Sequence, residues 1–353
     1  MRFTFNRQNW AVAALGIAIL VGAEKTTSAH ITPAPLFKRV DSYNMTIAAR
    51  SAADIYYPQQ SVKEQRRNRF PLALLLQGAN VDKSNYADFA RIVASYGFVV
   101  AIANQPRSLQ QFGFTGLLPE TSQIDAVLKQ VKRENSNPTT PIAGIVDTQK
   151  LTLLGHSAGG AVGLSAIGNL CIAPVLCEGS FHRPKELVGG AFFAANLRDQ
   201  TTQEFIPIHN SGIPIALIQG DRDSIALPQR AQATYDNIQS PPKALITVSG
   251  ANHYGITNTN NPPGPIPDSS TPTLEQSQSV ETVARWSALF LRAEVLGDRQ
   301  AFKYVYQTGD ALDRNVSVTS QPAPVPLHSN NVLAFGILAG SISLKCKQVM
   351  GRV

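Results

Sequence analysis

Lys150-Leu151-Thr152-Leu153-Leu154-Gly155-His156-Ser157-Ala158-Gly159-Gly160 is the stretch on which the fold turns. Its first part, Leu151 to Leu154, is a short apolar run of strand type. The residues after it, Ala158 to Leu170, are small and apolar and read as a helix. Between the two lies Gly-x-Ser-x-Gly, and a strand before it and a helix after it give that pattern its meaning. The serine must then sit on a sharp turn with strained backbone angles. Side chains two positions to either side would collide with the neighbouring strand and helix, which is why glycine is required at 155 and 159. The turn lifts the Ser157 hydroxyl above the sheet. It also sets the Ala158 amide at a helix start, where it can bind a developing oxyanion.

Outward from this stretch, apolar runs alternate with helix-like periodic segments. Residues 44–57 read as an opening pair of strands, Pro71 to Leu76 and Phe98 to Ala103 as buried strands, and Leu187 to Phe193, Pro214 to Ile218 and Ala244 to Val248 as further strands. Helical patterns fall at Asn85 to Tyr96, where Phe89, Ile92 and Val93 share a face, and at Ile124, Val127, Leu128 and Val131. Two more are expected near 227–238 and 278–295. Continuous apolar strands separated by helices predict an α/β domain with a mostly parallel central sheet and helices on both faces. Hydrophobicity does not divide into blocks, so one domain is expected over about residues 30–310.

A serine hydroxyl needs a base. Of six histidines, His253 lies just past the last expected strand of the parallel block, at the carboxyl edge where open α/β sheets place their sites. His156 flanks the serine and is expected to point away. The acid that orients the imidazole is sought in Gly220-Asp221-Arg222-Asp223, after the strand ending at Ile218. Asp223 is preferred because the Gly220 turn directs it back to the site; Asp221 and Asp199 are the alternatives. The chain order Ser157, Asp223, His253 is one of the known orders for such a triad. A second oxyanion donor is expected from the loop Gln77-Gly78-Ala79-Asn80, with the Ala79 amide aimed at the oxyanion and Ala158 supplying the first.

Two loops at this edge are expected to wall a pocket: Gln105 to Glu120, carrying Phe112 and Phe114, and Ile256 to Pro272. The second holds five prolines and three asparagines, which suggests a stiff wall rather than a moving lid. Cys171 and Cys177 flank five residues after the nucleophile helix, and in an exported protein they would close a small disulfide loop. No histidine, cysteine or acid set has metal-ligand spacing, so no metal or cofactor is expected.

The ends carry most of the formal charge of +7. Arg2, Arg7 and Lys25 against Glu24 put +2 on residues 1–29, and Lys345, Lys347 and Arg352 put +3 on residues 327–353, leaving +2 between. A near-neutral body argues against a nucleic-acid partner despite the pI of about 9.4. With 353 residues, 43% of them hydrophobic, the chain has ample material for a core, and disorder is excluded. Arg2 and Arg7 followed by the apolar Trp10 to Ala23 read as an export signal ending near Thr27-Ser28-Ala29, with Val21-Gly22-Ala23 as a second cleavage candidate and an uncleaved anchor as the alternative. Residues 311–331 read as a linker. The apolar run Val332 to Leu344 before Lys345-Cys346-Lys347 resembles a C-terminal sorting signal of the PEP-CTERM type. Val325-Pro326-Leu327-His328 stands where that motif has Pro-Glu-Pro; the same tail also suits a disordered end or an envelope contact.

Taken together, the Gln77-Gly78 loop leading into Asn85-Tyr86, the Gly155-to-Gly160 elbow, Gly220-Asp221-Arg222-Asp223 and His253 resemble the α/β-hydrolase superfamily over about residues 37–300. Within it the chain is similar to the dienelactone-hydrolase-like, chlorophyllase-like, platelet-activating-factor-acetylhydrolase-like and polyester-hydrolase esterases. The relatives often have His-Gly at Gln77-Gly78. Dienelactone hydrolases use cysteine where Ser157 stands, and plant chlorophyllases typically carry arginine where Ala158 stands. The resemblance implies an α/β-hydrolase fold and a serine ester hydrolase acting on a small-molecule, lipid or polymer ester; with the N-terminal signal, an exported enzyme is expected, and a monomer. A serine peptidase or amidase with the same triad, or a non-catalytic envelope protein that kept the fold, are the rival readings.

Overall fold

The computed structural model describes residues 32–48, 51–60, 69–199 and 201–324. The expected export signal and the apolar C-terminal run lie outside these residues. Eleven strands form: β1 (Val40–Ile47), β2 (Ser51–Pro58), β3 (Phe70–Leu76), β4 (Val99–Ala103), β5 (Pro106–Leu109), β6 (Phe114–Leu117), β7 (Val146–His156), β8 (Leu187–Phe193), β9 (Ile215–Gly220), β10 (Lys243–Val248) and β11 (Val316–Gln321). Nine of them make one sheet in the order β1-β2-β4-β3-β7-β8-β9-β10-β11. From β4 through β10 the neighbours run parallel. The flanking pairs β1–β2, β2–β4 and β10–β11 are antiparallel. The chain is thus α/β, with a large, mostly parallel sheet, as its alternating pattern predicts.

Helices cover both faces because each buried strand offers apolar side chains to both. On β3, Ala73 and Leu75 join the core under α1 (Ala87–Ser95) and α5 (Gln276–Val295). Leu72, Leu74 and Leu76 point the other way, into the core under α2 (Ser122–Ser136), α3 (Ala158–Ile167) and α4 (Pro228–Asp236). The alternation is the pleat period of two applied to an all-apolar strand. On α1 the buried Phe89, Ala90, Val93 and Ala94 recur at helical spacing. On α5, Trp286 and Phe290 are completely buried, each contributing roughly 1.5–3 kcal/mol of burial. Two short helices, α6 (Arg299–Lys303) and α7 (Gly309–Leu312), bracket a π-helical turn and lead into β11.

Strand order locates the site. The chain runs from β3 outward to β4, then returns to place β7 on the other side of β3. The order therefore reverses between β3 and β7, and at that point the loops leaving the two carboxyl ends diverge and open a crevice. The loop after β3 holds Gly78 and Ala79; the turn after β7 holds Ser157.

Two elements differ from expectation. Residues 105–120, expected as a loop, contain the hairpin β5–β6, paired from Pro106–Leu117 to Leu109–Phe114. Residues 311–321, expected as linker, include β11, which pairs with β10 along its whole length. The folded unit therefore extends past residue 310. Its outer edge is polar because only alternate residues of β11, Val316 foremost, meet the core.

Candidate active site

Ser157 has φ 53° and ψ −117°, a backbone state rarely adopted by a residue with a side chain. It is imposed from both sides. A Cβ at Gly159 would lie 2.0 Å from the Leu76 carbonyl oxygen, and one at Gly155 would lie 2.7 Å from the Gly160 backbone. Only hydrogen at both positions lets β7 pass so sharply into α3. Ser157 is the N-cap of α3, so the partial positive charge of that helix end falls beside its hydroxyl.

His253 and Asp223 meet in the loops after β10 and β9. His253 Nδ1 lies 2.9 Å from Asp223 Oδ2, and both side chains are almost fully buried. The other carboxylate oxygen accepts the amides of Ile225 (2.9 Å) and Ala226 (2.7 Å), and Gln219 Nε2 lies 3.2 Å from Oδ2. Asp223 is an acceptor on both oxygens, so the facing Nδ1 is the donor nitrogen of the ring and Nε2 is left as the acceptor. Nε2 bonds to no described residue. His253 and Ser157 line one cleft without a direct hydrogen bond between them; such bonds commonly tighten only in the substrate complex. The alternative acids are used elsewhere. Asp221 accepts the Gly250 amide (2.7 Å) and the Ser249 hydroxyl (2.9 Å), and Asp199 accepts the amides of Thr201 and Thr202.

Ala79 and Ala158 both stand near Ser157, Ala79 in the cleft lining and Ala158 as the first residue of α3. Neither amide donates to another described residue. The neighbouring Gly78 amide is taken: it donates to the Tyr86 hydroxyl at 2.8 Å. Tyr86 in turn lies 2.9 Å from His156 Nδ1, and His156 Nε2 lies 2.9 Å from the His253 carbonyl oxygen. The His253 carbonyl can only accept, so His156 donates from Nε2, and its Nδ1 accepts the Tyr86 hydroxyl, which itself accepts the Gly78 amide. His156 thus does not turn outward as expected; it is buried and ties the β3 loop to the His253 loop. Its tie to the His253 carbonyl has no local sequence signal, since both partners come from distant segments.

Burial holds the His156 imidazole well below its usual 6.5, and the neighbouring His253 adds to the effect. The unfolded chain therefore binds a proton that the native state refuses. Stability from this group is complete above pH 6.5 and falls as pH drops below it, by up to about 1.4 kcal/mol per pH unit. His156→Leu is expected to remove that slope. It should also destabilise the protein by about 2–4 kcal/mol at neutral pH, because the His253 carbonyl and Tyr86 hydroxyl each lose a buried partner. Denaturant titrations at pH 5 and 7.5 measure both effects, and an unchanged slope would refute the assignment.

A second carboxylate, missed in the sequence, braces His253. Asp268, in the proline-rich segment, accepts the His253 amide (2.8 Å), the Ser270 amide (2.8 Å) and both the amide and hydroxyl of Ser224. Burial pushes its carboxyl up, but these bonds prevail and hold it below the ordinary value. One side chain so fixes the backbone of His253 and of Ser224, the neighbour of Asp223. An aspartate among prolines carries no motif by which it could have been found.

The cleft has a volume of about 270 Å³. Phe114 of β6 lines one side, and Tyr254, Pro265 and Ile266 line another, while Phe112 at the hairpin tip is 58% exposed and takes no part. The proline-rich wall is tied down by Tyr254 Oη donating to the Ile266 carbonyl and by reciprocal Asn261–Asp268 bonds. The hairpin wall is held by Arg107. Its guanidinium donates to the Val175 carbonyl (2.6 Å), the Pro174 carbonyl (2.9 Å) and Glu178 (2.8 Å). Val175 and Pro174 lie inside the loop closed by the Cys171–Cys177 disulfide. Reducing that bridge is expected to cost about 1 kcal/mol of substrate binding, roughly fivefold in kcat/KM, mostly as a higher KM. Kinetics with and without reductant test this, with a Cys171→Ser, Cys177→Ser variant as the insensitive control. A larger groove of about 830 Å³ beside α2 is lined by Lys129, Lys132 and Glu186, with no histidine or cysteine among its lining residues.

Among the described residues no helix is long and apolar enough to cross a membrane. Compared with known proteins, the chain matches no protein-family model and no curated sequence.

Proposed function

We propose that the protein is an exported serine ester hydrolase of the α/β-hydrolase type, working through Ser157, His253 and Asp223 without a cofactor. The observation that carries this reading is the convergence of a strained serine, a carboxylate-oriented imidazole and two unengaged amides at one cleft. The strand-order reversal between β3 and β7 and the parallel block support the fold assignment. The Cys171–Cys177 bridge supports export to an oxidising compartment.

In the proposed cycle His253 Nε2 takes the Ser157 proton as Oγ attacks the ester carbonyl carbon. The oxyanion forms against the amides of Ala158 and Ala79, at the positive end of α3. Collapse breaks the bond to the alcohol oxygen, which receives the proton from Nε2. Water, deprotonated by the same nitrogen, then attacks the acyl carbon, the bond to Ser157 Oγ breaks as Nε2 returns its proton to that oxygen, and the acid is released. Asp223 keeps the imidazole in register and stabilises its cation.

The test is reaction with a fluorophosphonate probe followed by peptide mass mapping, together with turnover of p-nitrophenyl esters. A single adduct at Ser157 and ester turnover are expected. An unlabelled Ser157 would remove the proposal, and cleavage of a fluorogenic peptide panel in preference to esters would replace it with a peptidase.

A further inference from the structure

The cleft at Ser157 continues past a ridge into a second, open groove. Asn80 belongs to both. Its amide donates to the Leu117 carbonyl at 2.7 Å and its side chain accepts the Leu117 amide at 3.0 Å, which fixes the β3 loop against the hairpin. From the opposite side Gly264 packs so near that a Cβ there would stand 2.6 Å from the Asn80 carbonyl oxygen. Beyond this ridge a groove of about 730 Å³ runs along the hairpin past Pro106, Ser108 and Thr115.

Neither compartment offers a free charge among the described residues. The titratable side chains lining the cleft are His156, His253 and Tyr254; the first is engaged at both ring nitrogens and the last on the Ile266 carbonyl. The groove contains one cation, Arg107, whose side chain is 4% exposed and bonded to Glu178 and two carbonyls. A carboxylate or phosphate on the substrate would enter either compartment unpaired, which is costly in proportion to its burial.

We propose that the site takes a neutral ester with a short apolar acyl group, seated in the cleft against Phe114, Ile225 and Ile266, and passes an uncharged alcohol portion along the hairpin groove. The proposal rests on the ester-hydrolase reading above. Size supports it: at about 270 Å³ the cleft is smaller than the ~300–1,000 Å³ of sites that enclose a whole drug-sized ligand, so it holds only part of the substrate. The division follows from the chemistry. The acyl carbon stays bonded to Ser157 between the two half-reactions, whereas the alcohol must depart first and needs the path open to the surface.

The experiment measures kcat/KM for p-nitrophenyl esters from acetate to detergent-dispersed palmitate, with the succinate half-ester set beside the butyrate ester. The wild type, Phe114→Ala and Ile266→Ala are compared. Ile266 is 80% exposed, so its variant leaves the fold intact. The wild type is expected to peak between four and six acyl carbons and to fall by roughly 100-fold at palmitate, with each truncation moving the butyrate-to-palmitate ratio by ~10-fold towards longer chains. The succinate half-ester is expected to be ~100-fold poorer than butyrate. Palmitate turned over as well as butyrate, a succinate half-ester equal to butyrate, or ratios unmoved in both variants would overturn the proposal while leaving the hydrolase intact. Inactivity towards every ester would instead strike the hydrolase reading, and this proposal would fall with it.

Discussion

Ser157→Ala is expected to lower ester hydrolysis by about 10⁴- to 10⁶-fold while leaving the circular dichroism spectrum and melting temperature close to those of the wild type. The size of the loss follows from what the hydroxyl does. Without it no acyl-enzyme forms, and the remaining groups can only polarise the carbonyl and orient a water. The residue is half-buried and makes no side-chain hydrogen bond that the fold depends on, so stability should hardly respond. Alanine inherits the φ of 53° and its strain, so no backbone relaxation is offered by the change. Steady-state kinetics with a p-nitrophenyl ester measures the loss; activity within tenfold of the wild type would end the serine mechanism.

The second large effect is expected from Asp223→Asn, about 10⁴-fold in kcat with little change in KM. Two amides, of Ile225 and Ala226, point at one carboxylate oxygen and require an acceptor there. The asparagine must therefore keep its oxygen on that side and turn its NH₂ towards His253 Nδ1, now 2.9 Å from Oδ2. A donor facing Nδ1 forces the imidazole proton onto Nε2, the nitrogen that should accept the serine proton. The ring stays in place but carries its proton on the wrong side. Gln219 Nε2, 3.2 Å from the same Oδ2, would then also face a donor, so a modest loss of stability accompanies the kinetic one. An Asp223→Asn protein with unaltered kcat would assign the orienting role elsewhere, and Asp221 and Asp199 are already bonded to other groups.

Much of this architecture is legible in the chain because buried parallel strands need unbroken apolar runs. Pro71 to Leu76 and Phe98 to Ala103 form β3 and β4 nearly where their composition places them. The elbow is legible because its glycines answer a steric demand that any homologous turn would impose. Polar, exposed structure is harder to read. β11 alternates Val316 and Val318 with Ser and Thr, and at a sheet edge that weak period resembles a linker. The hairpin turns at Gly113, which takes a left-handed conformation after a single 3₁₀ turn, leaving strands of four residues each. The bracing network of Gly78, Tyr86, His156 and the His253 carbonyl is nearly illegible, since it joins groups up to 97 positions apart and ends at each side on a backbone atom that any residue would supply. Its one local trace is Tyr86, which stands beside the Gln77-Gly78 loop in the pattern that suggested the fold.

The strap from Arg107 into the Cys171–Cys177 loop gives the molecule an order of completion. The turn at Ser157 is built by β7 and α3 alone, whereas the hairpin that carries Phe114 leans on the bridged loop. Under the proposed export, that bond would close only once the chain leaves a thiol-rich compartment, and the hairpin wall would gain its full support there.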